Sequence, residues 1–215
     1  MLENLFNYTP LIAGKTMITI GISSALAMGV SSTLMNHMKI KNILMISLCV
    51  SSIGAFYFAN ISLNATQNTF RMGNLLFGFG LGFFMVPLTT YSLATLPEKH
   101  ITEAAGLFSY GRMLGTSIGV SLLSTLVSRE TQVNWEQLGE HISIFNHNLQ
   151  SWLNYQHTTL HNPQTVATLQ TSLSAQASMI AFVDAFYFIG FLLLGLIPLV
   201  FCLKNVKLVS TQMIH

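Results

Sequence analysis

The sequence predicts an all-α integral membrane protein with five transmembrane helices, and three observations carry that expectation. Only 7% of the 215 residues are charged while 51% are hydrophobic, whereas soluble domains carry roughly 25% charge. A chain so poor in charge cannot cover a globule with solvated surface. Five stretches run nearly free of charge for about 20 residues each, the length a helix needs to cross a bilayer core about 30 Å thick. The intervening segments hold most of the charged residues. The composition also excludes a disordered chain, and the net charge of +2 excludes a nucleic-acid binder resting on basic patches. Two cysteines are too few for a disulfide-stapled secreted module. Both, Cys49 and Cys202, lie in apolar runs and read as small hydrophobes.

The first span covers residues 16–35 and ends at the polar turn 36–42, after which the second covers 43–60. The third, 72–96, contains Gly78, Gly80 and Gly82 and then Pro87. Gly78 and Gly82 form a small-xxx-small pair of the sort that lets membrane helices approach closely. Pro87 lacks a backbone donor and crowds the preceding turn, so a kink near Phe83 is expected, serving either as a hinge or as a static bend. The fourth span, 104–127, carries Gly111, Gly115 and Gly119 four residues apart, with Ser117 and Ser121 beside them. One charge, Arg112, interrupts it, as Asp184 interrupts the fifth span at 179–203. A single central charge costs about 2.5 to 3.5 kcal/mol on insertion scales, which the apolar neighbours offset.

Arg112 lies eight residues into its span, about 12 Å along the helix axis, next to the glycine stripe. An intramembrane arginine usually turns to a bundle interior or a wet cavity, which makes Arg112 a candidate for the transport path or a gate. The alternative is a side chain that snorkels to the headgroups. Asp184 sits about 28 Å of helix from Leu203, near the outer boundary, where interfacial and ion-coupling roles both stay open. No paired carboxylates, Ser/His/Asp set or phosphate-cradling glycine loop supports an enzyme, and no cofactor or metal is expected.

Between the fourth and fifth spans, residues 128–178 form a long polar segment with Glu130, Glu136, Glu140, Trp135, Trp152 and four histidines. Apolar residues at Trp135, Leu138, Ile142 and Ile144, and again at Leu149, Trp152 and Leu153, predict two short surface helices broken near Asn162-Pro163. His157 and His161 share a helix face, but no Cys or carboxylate completes a ligand set, so solvated histidines are the expectation. Lys39, Lys41, Lys99, Lys204 and Lys207 fall in one set of loops, against Lys15, Arg71 and Arg129 in the other. This bias predicts a cytoplasmic C-terminal tail at 204–215 and an extracytoplasmic loop at 128–178. With five crossings the N-terminus is then outside, although residues 1–11 have neither the basic region nor the cleavage site of a signal peptide. Two sequons, at Asn60 and Asn64, fall in a loop on that same side.

Four strings taken together resemble one family, the fourteen-helix drug:proton antiporters of the major facilitator superfamily, EmrB/QacA type. They are Tyr8-Thr9-Pro10-Leu11-Ile12-Ala13-Gly14, Pro87-Leu88-Thr89-Thr90, and Leu96-Pro97-Glu98-Lys99 followed by Ala104-Ala105-Gly106-Leu107 and by Arg112, Gly115, Ser117, Ile118 and Gly119. The fourth is Arg129-Glu130 with Asp184 near the start of the final helix. The resemblance implies an incomplete facilitator C-terminal half, the last five helices of fourteen, in the inner membrane with its C-terminus cytoplasmic. It departs from the family at 36–42, where only Lys39 and Lys41 remain of the charged loop. Facilitators bind substrate at the midplane between two halves, so the expectation is a fragment of a proton-coupled multidrug exporter that does not transport alone. Its expected partners are the bilayer, the missing N-terminal helices or a separately encoded half, and a periplasmic adaptor at 128–178. A non-transporting membrane scaffold is the alternative.

Overall fold

The computed structural model describes residues 9–62, 65–94, 97–140 and 163–203. Five long helices account for nearly all of them: α1 (Pro10–Leu34), α2 (Ile40–Ala59), α3 (Gln67–Leu93), α4 (Ile101–Glu140) and α5 (Pro163–Phe201), with a 3-10 turn at Glu98–His100 before α4. No strand occurs among the described residues. Pro10 and Pro163 each open a helix, where a fixed φ is pre-organised and the missing N–H would have had no partner. The α1–α2 connection is a tight polar turn, so the two helices are antiparallel neighbours in sequence without being each other's main packing partner.

α3 is the hub. It packs against α1 on one side and α2 on the other, α2 in turn packs against α5, and α4 packs chiefly against α5. The glycines of α3 explain the double contact. A Cβ on Gly78 would lie 2.7 Å from the Ile20 carbonyl oxygen, and one on Gly82 would run into the Ser24 backbone, both in α1. A Cβ on Gly80 would run into Ser51 of α2, so alternating glycines clear opposite faces for two neighbouring backbones. In the α2–α3 pair Ser51 faces Gly80, Gly54 faces Phe77 and Phe58 faces Gly73, an antiparallel register.

With no hydrophobic drive between helices in lipid, polar side chains add to the close packing. Ser23 Oγ donates to the Leu75 carbonyl (2.7 Å), Ser31 Oγ to the Phe83 carbonyl (3.1 Å) and Asn74 Nδ2 to the Thr16 carbonyl (2.8 Å), which tie α1 and α3 in parallel. Ser52 Oγ donates to the Gly190 carbonyl (3.1 Å), joining α2 to α5. Apolar packing completes two clusters. One is built on Ile43, Leu44, Leu48, Phe83 and Val200, and the other on Phe58, Ile61, Phe70 and Met179. Large apolar side chains such as Leu11, Ile22, Leu26 and Phe191 point outward, as lipid-facing residues do.

Pro87 lies inside α3 and is fully buried, and α3 continues through it to Leu93. Lacking an N–H, it leaves the carbonyl four residues earlier, Phe83, without its helical donor. Ser31 is fully buried and supplies that donor from α1. Ser31→Ala should therefore cost about 1 kcal/mol, read from reversible unfolding in detergent or bicelles. In a Pro87→Ala background, where residue 87 regains its N–H, the same change should cost less than half as much. Equal costs in the two backgrounds would refute the compensation.

Four helical stretches combine the length and apolarity of membrane spans: α1, α2, α3 and Gln164–Phe201 of α5. α4 is long enough but less apolar, because ten of the 24 residues at 104–127 are Gly, Ser or Thr and one is Arg112. The helices α4 and α5 also run further than the sequence predicts. At 40 and 39 residues they are each about 60 Å long, twice the hydrocarbon thickness. Residues 128–140, including Trp135 and Leu138, continue α4 without a break and 163–178 belong to α5, while the rest of the expected surface helices, in 141–162, lies outside the described residues. The half-buried positions Leu123, Leu126, Val127, Glu130, Thr131, Asn134 and Leu138 recur at helical spacing along α4, a single stripe continuing past the expected span end.

Candidate functional site

A cavity of about 790 Å3 opens between α3 and α4. Met85 supplies the α3 wall, and Ser109, Arg112, Thr116, Ser117, Ser121 and Ser124 line the α4 side. These α4 positions are spaced three, four and seven apart, so they form one hydroxyl-rich helix face with one positive charge. The cavity exists because α3 and α4 hardly touch: α4 leans on α5 toward its C-terminal end and stands away from α3.

Arg112 is exposed in this cavity. Thr116 Oγ1 donates to the Arg112 carbonyl at 2.8 Å, a bond within the helix that leaves the guanidinium untouched. No carboxylate pairs with it among the described residues. An arginine within a membrane span is stable only in a wet or anionic setting, and the hydroxyls lining this cleft are groups that water can bond. The structure places Arg112 among hydroxyl side chains of its own helix, across from Met85 of α3.

The glycine stripe of α4 behaves differently from that of α3. A Cβ at Gly111, Gly115 or Gly119 would meet nothing within 4 Å, so no described residue packs against this stripe. The physical reason is that close packing needs two partners, and among the described residues α4 has no neighbour on that face. The open glycine stripe and the hydroxyl face adjoin, with Arg112 on the border between them.

Asp184 lies in α5, exposed, and does not line the α3–α4 cavity. Its sequence neighbours Val183 and Phe186 turn inward instead, against the cluster built on Phe58 and Met179. Arg112 and Asp184 are thus not joined in one site. His157, His161 and Asn64 lie outside the described residues, and Asn60 Nδ2 donates to the Phe56 carbonyl at 2.8 Å. Sequence reasoning missed Ser109, Thr116 and Ser124 as cavity residues. The signal was available, since hydroxyl residues recur at helical spacing along α4.

Long apolar helices packed through glycines and serines define a multi-pass integral membrane protein. Its relatives say which sort. The chain is similar to the multidrug export protein EmrB of Haemophilus influenzae, 27% identical over 208 residues that make up 95% of this chain and 40% of that protein. It is 24% identical over 153 residues to the multidrug export protein EmrB of Escherichia coli (strain K12), covering 70% of this chain and 30% of that one. An uncharacterized MFS-type transporter, YhcA of Bacillus subtilis (strain 168), is 21% identical over 142 residues, 66% of this chain and 27% of its own. No protein-family model matches. The chain is therefore homologous to multidrug export proteins and MFS-type transporters, and it spans well under half the length of these relatives.

Proposed function

We propose that these helices form the C-terminal part of a proton-coupled multidrug efflux transporter of the inner membrane, with the hydroxyl face of α4 on the substrate path and Arg112 as its gating or cavity residue. The observation that carries this is the character of α4. It is the least apolar of the five helices and the least covered, and its open side presents Arg112, serines and a glycine stripe. A helix so polar is poorly matched to lipid on every side. It suits a cleft completed by further helices, on the same polypeptide or separately encoded. Similarity to multidrug export proteins supports the substrate class. The lysine bias supports a cytoplasmic C-terminus, and the polar continuations of α4 and α5 beyond the bilayer offer a surface to an extracytoplasmic adaptor protein. Asp184, at the outer end of the apolar part of α5, is the second candidate for ion coupling.

Transport then requires more than these 215 residues. Expressed alone, the chain should give no efflux of a fluorescent organic cation above background. Coexpressed with the N-terminal nine helices of a homologous exporter, it should give efflux that a protonophore abolishes. Robust protonophore-sensitive efflux by the chain alone would overturn the requirement for further helices.

A further inference from the structure

We propose that the turn between α1 and α2, together with the C-terminal end of α5, binds the phosphate headgroup of an anionic phospholipid. A cavity of about 500 Å3 lies there, lined by His37, Lys39, Lys41, Asn42, Met45 and Phe201 among others. That volume falls within the roughly 300–1,000 Å3 of small-ligand pockets. Three of these residues carry or can accept positive charge, and no carboxylate is among the lining residues.

The charges are held in different ways. Lys41 Nζ donates to the Phe201 carbonyl at the end of α5 and sits 5.2 Å from the Phe201 ring centroid, so the ammonium is fixed in place with donors to spare. Lys39 and His37 are exposed and have no protein partner among the described residues. Lys39 is the N-cap of α2, no side chain caps that helix, and its first turn holds no acid. The positive end of the α2 dipole therefore adds to the lysines without a competing carboxylate. Two lysines beside a phosphate at a membrane surface form a favourable electrostatic site.

The apolar side of the cavity selects a lipid over a free anion. Met45 and Phe201 line it, and Ile46 and Leu199 are exposed within about 8 Å along the helix axes toward the membrane centre. A headgroup held by Lys39 and Lys41 leaves its acyl chains along these residues. The site shares no lining residue with the α3–α4 cleft.

The test is native mass spectrometry of the delipidated full chain in detergent, titrated with phosphatidylglycerol or phosphatidylcholine. Phosphatidylglycerol should bind at least about tenfold more tightly, with each lysine contributing about fivefold. The Lys39→Gln/Lys41→Gln variant should lose the preference, while Lys99→Gln, in the 3-10 turn, keeps it. Lys39→Gln alone breaks no side-chain hydrogen bond or ion pair among the described residues and should weaken binding about fivefold, which keeps the test valid if the double variant misfolds. Millimolar inorganic phosphate should not displace the lipid. Equal binding of the two lipids, an equal loss in Lys99→Gln, or displacement by inorganic phosphate alone would each overturn the assignment.

Discussion

Gly82→Ala should destabilise the chain by about 2 kcal/mol, while Gly115→Ala should leave it as stable or firmer. Both glycines sit in helices, at small-xxx-small spacing, and intrinsic propensity favours alanine at either by roughly 0.5 to 1 kcal/mol. At Gly82 a Cβ runs into the Ser24 backbone, which cannot move aside as a flexible side chain would. α1 and α3 must separate, straining the Ser23–Leu75 and Ser31–Phe83 hydrogen bonds, and overpacking of this kind costs about 1 to 3 kcal/mol. At Gly115 the Cβ enters open space, so propensity acts unopposed. Unfolding of the purified chain by denaturant in bicelles measures both. Opposite signs are expected, and a loss at Gly115 matching that at Gly82 would mean α4 is packed on that face. In the transporter assembled with further helices, Gly115→Leu should then impair efflux even though the isolated chain tolerates it.

Arg112→Ala should reduce efflux by the assembled transporter more than tenfold while leaving the isolated chain folded. Among the described residues the guanidinium has no carboxylate partner, so its loss breaks no ion pair. Replacing a central arginine by an apolar residue favours membrane insertion by about 3 kcal/mol. A residue whose removal helps insertion yet lowers transport would be serving the cavity. Arg112→Lys discriminates further, because lysine keeps the charge but loses the planar fork. If Arg112 serves the path, the lysine variant should retain only part of the activity. Full activity in both variants would assign the side chain to the headgroups, with no part in transport.

The contrast between the two glycine stripes shows what a sequence reader can and cannot see. The spacing Gly78-Gly82 and the spacing Gly111-Gly115-Gly119 carry the same local message, that a backbone can come close. Among the described residues only the first has a backbone there. Pro87 makes a similar point, since the orphaned Phe83 carbonyl was foreseeable from chemistry alone. That Ser31, 52 residues earlier, answers it is a fact of how α1 lies on α3. The reach of α4 and α5 past their apolar runs has a different reason. Hydropathy senses where the bilayer ends, whereas a helix continues as long as its backbone bonds and a packing stripe support it. Polar residues 128–140 and 163–178 satisfy both conditions beyond the apolar runs.

Thus the sequence alone determined the solvent, the number of long helices and the class of protein, because charge scarcity and twenty-residue apolar runs answer directly to the thickness and polarity of a bilayer. The tertiary structure alone decided that α3 is the hub, that its glycines are occupied while those of α4 meet no described residue, and that Arg112 shares a cavity with hydroxyls and not with Asp184. Those outcomes depend on which helix faces are left without a neighbour, a relation among distant segments that no local pattern encodes.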